Sequence, residues 1–290
     1  MKTLQETTFA IIGLGLIGGS YAKVLKNLKV KRIIGWNRNP IVALMAKDEG
    51  NITDICDEEG ALLKEADVII NALYPGVFVD FVAAHVKHFK DDVILTDVMG
   101  IKADFPQQVD KLLTGNMDFV SGHPMAGREG KGYGQSAAEI FNGSNYIVIK
   151  REHNKPENVE FIKNMAKELG CKNVVELTPQ EHDAIIAYTS NLPHIMAVSL
   201  VNSESMHPST KYFIAGSFRD ATRVADINAT LWKDLFLLNK ENVRAEIHSL
   251  QQQLNKWDQA LANNDEEVLI EMMDTAKQKR KDLFNAKHYC

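Results

Sequence analysis

The sequence has little cysteine. Cys56, Cys171 and Cys290 are the only three in 290 residues, they form no CxxC pair, and one is left over. A disulfide framework is therefore not expected, and the thiols read as reduced, as in a cytoplasmic protein. A basic stripe is also missing: 33 Lys and Arg stand against 38 Asp and Glu, mixed along the chain, for a net charge of −5. Nucleic acid and anionic membrane surfaces are not expected partners. Long uninterrupted apolar runs are absent. The run after the polar first eight residues meets glycine after four positions, which is no signal peptide. The stretch 184–201 is broken by Asn191, Pro193 and His194, and reads as a buried helical region rather than a membrane span. No repeat or low-complexity segment is present, and no metal is expected.

An ordinary globular composition remains, 45% hydrophobic and 24% charged, in a chain long enough for two domains. Through residue 149, short apolar runs rich in Val and Ile alternate with helical patterns. Residues 9–12, 32–36, 68–73, 93–96, 119–121 and 146–149 read as strands, and 18–28 and 77–89 as helices. That alternation predicts an α/β domain with a doubly wound parallel sheet. The polar, proline-bearing stretch 151–158 marks the expected boundary. It divides a dinucleotide-binding domain, 1–152, from a helical domain, 153–290, with one possible strand at 173–177. Within the second domain, Val243, Ile247, Leu250, Leu254, Trp257 and Leu261 repeat at 4-3-4-3-4. This heptad seam serves either packing within the chain or a subunit interface.

Residues 13–18 read Gly13-Leu14-Gly15-Leu16-Ile17-Gly18, directly after an apolar strand and at the start of a helix. In that context the pattern is a dinucleotide-binding loop. Gly13 makes the turn, Gly15 lets a pyrophosphate approach the backbone, and Gly18 lets helix and strand pack closely. The helix start, Leu16 and Ile17, supplies free N–H groups. The second strand ends Gly35-Trp36-Asn37-Arg38, without the carboxylate that reads the 2′-hydroxyl of NAD. Asn37 and Arg38 suit a 2′-phosphate, so either cofactor is expected to bind, with NADP favoured over NAD.

Three further segments look chemical. The stretch 121–130 carries His123 among Pro124 and glycines after a strand, where open α/β sheets bind ligands. Its imidazole is a candidate general base, its ordinary pKa being about 6.5. The second runs from His182-Asp183 to Leu192-Pro193-His194, where a histidine in an apolar helix needs a partner or a cavity. In the third, Arg219 and Arg223 bracket Asp220; arginine reads carboxylates in bidentate fashion.

With GLGLIGGS (13–20), TDVMGIK (96–102), GHPMAGRE (122–129), HD (182–183), LPH (192–194), FRDATRVA (218–225) and LWKDLFLLN (231–239), the chain resembles the prephenate/arogenate dehydrogenase family of tyrosine biosynthesis over nearly its whole length. The resemblance implies a Rossmann domain followed by an all-helical dimerisation domain, a homodimer, and NAD(P)-dependent oxidative decarboxylation. The substrate would be prephenate, giving 4-hydroxyphenylpyruvate, or arogenate, giving tyrosine. It implies that His123 deprotonates the ring hydroxyl, that Arg223 binds a substrate carboxylate and that His194 contacts substrate. Lys102, Glu129, Asp183 and Arg219 would belong to the surrounding network. The chain departs from the family pattern at Gly100, where a serine is usual, and at Asn191, where a histidine is usual. No C-terminal tyrosine-sensing domain is expected before the chain ends at Cys290. A 3-hydroxyacid dehydrogenase or related imine reductase would share the two-domain plan, but the hydroxyacid enzymes need a lysine on the first long helix of the second domain, and none lies between Asn173 and Thr210. A non-catalytic dinucleotide sensor would not need His123, His194 and Arg223 together.

Overall fold

Short runs of Val, Ile and Phe are cheapest to bury as strands covered on both faces, and the first half of the chain does this. The structure, a computed structural model, describes residues 2–128 and 130–285. Six strands, β1 (Thr8–Ile12), β2 (Arg32–Trp36), β3 (Asp54–Ile55), β4 (Val68–Asn71), β5 (Ile94–Asp97) and β6 (Asp118–Phe119), form one sheet in the order β3-β2-β1-β4-β5-β6. Every pairing is parallel. The order reverses between β1 and β4, which opens the ligand crevice of a Rossmann sheet at the strands' carboxyl ends. Successive residues of β1 serve opposite cores: Phe9 and Ile11 join one apolar cluster, Ala10 and Ile12 the other. The helices α1 (Leu16–Asn27), α2 (Pro40–Asp48), α3 (Pro75–His85) and α4 (Phe105–Asp110) connect the strands. The two-residue β3 escaped the sequence reading because so short a pairing leaves no apolar pattern.

A second sheet follows, in the order β7 (Ser121–Pro124), β8 (Asn145–Ile149) and β9 (Asn173–Leu177). β7 runs antiparallel to β8, and β9 parallel to it. The single strand expected at 119–121 is thus two strands in two sheets, joined by Val120 alone. The expected boundary at 152/153 is also corrected. The first compact unit runs from Met1 to His182 and the second from Asp183. The polar stretch is a loop inside the first unit. Beyond it, α5 (Pro156–Glu168) buries Val159, Phe161, Ile162 and Met165 in the first unit's core, and β9 completes its second sheet.

The second unit contains helices and connecting turns but no strand among its described residues, with α6 (Pro179–Ile186) entering it and α7 (Leu192–Val201), α8 (Gly216–Thr222), α9 (Ala229–Leu238), α10 (Lys240–Ala262) and α11 (Glu266–Asn285) within it. The stretch 184–201, expected to be buried, is not: Ile185, Tyr188, Met196 and Leu200 are exposed, and only one side, with Ile186, Ala187, Leu192 and Ala197, is covered. Apolar composition predicts that a face will be covered, not that its own chain covers it. The heptad seam divides in the same way. Val243 is buried, whereas Leu254, Trp257 and Leu261 are exposed.

Candidate active site

The glycine loop has the geometry its pattern requires. Gly13 sits at φ +96°, and a Cβ there would meet the Ala72 carbonyl at 2.9 Å. A Cβ on Gly18 would lie 1.9 Å from the Gly13 carbonyl oxygen, so α1 can begin this close to β1 only with glycine there. At Gly15, a Cβ would meet no chain atom within 4 Å. That glycine answers to something outside the chain, and a pyrophosphate passing over the backbone fits. No side chain caps α1, so the N–H groups of Leu16 and Ile17 face outward, both residues half-exposed. Asn71, buried at the end of β4 across the crevice, has a side-chain Nδ2 with no partner among the described residues. A dinucleotide's polar groups suit this set of donors.

Asn37 has a job the sequence reading did not foresee. Its Oδ1 accepts from the Leu14 N–H at 3.0 Å, and its Nδ2 donates to the Asn39 carbonyl at 3.0 Å. The side chain therefore shapes the glycine loop itself. Arg38 is exposed and makes no ion pair among the described residues. A surface cavity of about 840 Å³ opens at the opposite, amino-terminal edge of the sheet, between Lys2, Lys31, Asp67 and Asp92, and contains none of the residues above.

His123 lies on β7, paired with Ile147 of β8. Its neighbour Gly122 must be glycine because a Cβ there would lie 2.4 Å from the Tyr146 hydroxyl. The strand is anchored to the carboxyl end of β5. Asp97 accepts from the Ser121 hydroxyl at 2.6 Å, from the Gly122 N–H at 3.1 Å and from the Met99 N–H at 3.0 Å. Lys102 and Asp97 are fully buried and form an ion pair at 2.7 Å, and Lys102 also donates to the Gly122 carbonyl at 2.7 Å. Lys102 is thus a support beneath β7. His123 is partly buried, and its Nδ1 lies 2.9 Å from Nε2 of His182, which is itself buried. Burial first, then the positive charge of Lys102 and the neighbouring His182, hold the His123 imidazole well below the usual histidine range. The ring is therefore neutral at physiological pH. Gly100 lies beside the far edge of the ring: a Cβ there would sit 3.7 Å from Cε1 and Nε2.

In the second unit, Pro193 interrupts an otherwise continuous helical path. Its ring and missing N–H are accommodated by a π turn, Ala187–Asn191. The turn frees the Ser190 carbonyl, which accepts from His194 Nδ1 at 2.8 Å. Nδ1 therefore carries the proton, and Nε2 of the neutral ring is an acceptor. The imidazole stacks on Trp232 with centroids 3.7 Å apart. Burial lowers its pKa, the Ser190 bond opposes the shift, and nearby Arg223 adds to it. Asn191 is structural: its Oδ1 accepts from Asn239 Nδ2 at 3.1 Å, and the same Nδ2 donates to the Asp183 carbonyl at 2.8 Å. Asp183 is buried, while Arg219 and Arg223 are exposed. The structure so brings His123 together with Lys102, and His194 together with Arg223 and Trp232. Glu129 lies outside the described residues. Sequence reasoning gave no individual role to His182, Trp232 or Asp97, although each lies in a segment it singled out. The HD pair at 182–183, the LWKDLFLLN motif and the TDVMGIK motif contain them.

Comparison with known proteins gives a consistent result. Residues 21–175 match the prephenate dehydrogenase nucleotide-binding domain and 178–275 the prephenate dehydrogenase dimerization domain. A prephenate dehydrogenase of Bacillus subtilis is 33% identical over 96% of this chain and 76% of its own. A cyclohexadienyl dehydrogenase of Zymomonas mobilis is 28% identical over 93% of this chain and 94% of its own. Among solved structures, prephenate dehydrogenase from Aquifex aeolicus in complex with hydroxyphenyl propionate and NAD+ superposes with a TM-score of 0.88 at 27% identity, covering 97% of this chain and 100% of that one.

Proposed function

Since the chain belongs to the prephenate dehydrogenase family, we propose that it catalyses the NAD(P)-dependent oxidative decarboxylation of prephenate to 4-hydroxyphenylpyruvate, a step of tyrosine biosynthesis. The observation that carries the reading is His123, held neutral at the carboxyl edge of the sheet on a strand clamped by Asp97 and Lys102. Its Nε2 takes the proton of the ring hydroxyl. As the C–O bond gains double-bond character, a hydride leaves the carbinol carbon. A nicotinamide dinucleotide would be held by Gly13, Gly15, Leu16, Ile17 and Gly18 and would supply the hydride acceptor. Loss of carbon dioxide then returns an electron pair to the ring, which becomes aromatic, and His123 gives its proton back to the phenolate oxygen. Arg223 binds a substrate carboxylate, and His194, with Nε2 as acceptor, contacts substrate beside Trp232.

Either dinucleotide binds and NADP is preferred, a reading supported by the exposed Arg38 and by the lack of a carboxylate at Asn37. The enzyme works as a homodimer built on the helical unit. The match to a dimerization domain, together with the exposed apolar residues of α7 and α10, supports this. The helix Pro179–Val201 is long and apolar enough to cross a bilayer, but a second copy of the chain covers its exposed face. The free, buried Cys56 and Cys171 suit the cytoplasm.

The test is an absorbance assay for reduced dinucleotide, with prephenate or arogenate and each cofactor, on the parent and on Arg223→Ala. Turnover of prephenate is expected. The variant should raise KM by roughly 10- to 100-fold, the value of a charge-assisted bond, and leave dinucleotide affinity unchanged. Turnover of arogenate alone would reassign the substrate. A fall in dinucleotide binding would reassign Arg223.

A further inference from the structure

The first unit contains a pair of imidazoles of which the proposed reaction uses only one. His123 stands on β7, at one edge of the second sheet. β9 forms the other edge and runs straight into α6. A reciprocal cap fixes where that helix starts. The Thr178 hydroxyl accepts from the Glu181 N–H at 3.2 Å, and the Glu181 carboxylate accepts from the Thr178 N–H at 2.9 Å. His182 is the next residue, its N–H bonded to the Thr178 carbonyl at 3.0 Å. One sheet therefore sets both ends of the 2.9 Å contact between His123 Nδ1 and His182 Nε2, and the rings meet edge to face, with centroids 5.1 Å apart.

Two neutral imidazoles joined in this way share a single proton. If it sits on His182 Nε2, then His123 Nδ1 is the acceptor and His123 carries its own proton on Nε2. That nitrogen would then be a donor, useless as a base. If it sits on His123 Nδ1, then His123 Nε2 is bare and faces the side of Gly100. Glycine offers no side chain there to hold the ring, so the choice between the two states falls to His182.

The geometry assigns to His182 the role of positioning residue for His123: as a neutral acceptor it holds the proton on Nδ1 and keeps Nε2 bare toward substrate. This assignment rests on the reading of His123 as the base. When His123 takes the substrate's proton it becomes an imidazolium, and its Nδ1–H still donates to His182 Nε2. A carboxylate in that position would supply a charge. His182 supplies orientation and a hydrogen bond, and with Lys102 it lowers the pKa of His123. The acceptor exists only while His182 Nε2 carries no proton.

The test compares His182→Gln, His182→Leu and His123→Asn in the holoenzyme, with kcat, KM, dinucleotide Kd, Tm and pH profiles for each. It adds ¹⁵N-histidine NMR of the parent. The parent spectrum should show His123 protonated on Nδ1 and bare on Nε2 near neutral pH; the opposite tautomer overturns the proposal. His182→Leu should lower kcat by roughly 10- to 100-fold with KM and dinucleotide Kd little changed, a loss in keeping with a misoriented base. His182→Gln, which retains an acceptor oxygen, should recover most of that loss. Equal losses in the two variants would mean a purely steric role and would overturn the assignment. If His182→Leu fails to fold, His182→Gln and the parent spectrum still decide. If His123→Asn keeps normal kcat, the reading of His123 as base fails. If that variant is inactive while His182→Leu is normal, only the role of His182 fails.

Discussion

A histidine works as a base only while one ring nitrogen is bare, and His123 is built to stay that way into acid. Burial, Lys102 and His182 all lower its pKa below the ordinary 6.5. The neutral form therefore persists as pH falls past 6.5, and kcat/KM should hold its plateau there and drop only through the lowered pKa. A profile breaking at or above 6.5 would contradict this. The same shift makes protonation favour the unfolded chain. The His123 contribution to stability should shrink as pH falls from 6.5 toward the lowered value, and melts of His123→Asn should lose that component. The variant's kcat should fall roughly 10²-fold or more. At the other end of the crevice, Asn37→Asp would keep an acceptor for the Leu14 N–H, so the loop should survive. The new charge would repel a 2′-phosphate. The ratio of kcat/KM for NADP over NAD should fall in that variant and in Arg38→Ala. A parent that strongly prefers NAD and does not shift would show that this turn does not read the 2′ position.

Among the elements, β7 shows most clearly what sequence could and could not disclose. The motif around His123 was visible because glycine and proline after a strand are conspicuous. The clamp beneath it was not: the resemblance places Lys102 in the network around the substrate, but its burial against Asp97 under this strand appears only in the fold. The His123–His182 contact spans 59 residues and depends on the pairing of β7, β8 and β9, which no local pattern encodes. The strands of the main sheet were legible because buried parallel strands are plain Val and Ile runs. The break at Val120 was hidden because one residue between two strands leaves no turn signal. The clamp itself can be tested. Lys102→Met leaves the Asp97 carboxylate buried without its cation and should cost about 3–5 kcal/mol in urea unfolding. Adding Asp97→Asn should recover part of that loss. No loss in the single variant would mean that Asp97 is satisfied without Lys102.

On the scale of the whole molecule, the second unit leaves large apolar side chains uncovered, which mark an interaction site where they are contiguous. Tyr188, Met196, Leu254 and Leu261 are all exposed. The heptad spacing in the sequence marks one face of α10 but does not say what covers it. Light scattering at micromolar concentration should show a dimer, and Leu254→Lys should shift it toward monomer while far-UV circular dichroism is retained. A monomeric parent, or a variant that unfolds with its assembly unaltered, would remove the seam from the interface.

The single residue between β6 and β7 also has a consequence for how this chain can vary over evolutionary time. Side chains alternate faces along a strand, so one residue added or lost at Val120 would turn His123 to the opposite side of its sheet. Substitutions there are graded in effect, whereas a change of length is all or nothing. The junction therefore acts as a fixed ruler, and descendants of this gene that differ in length must carry their insertions elsewhere.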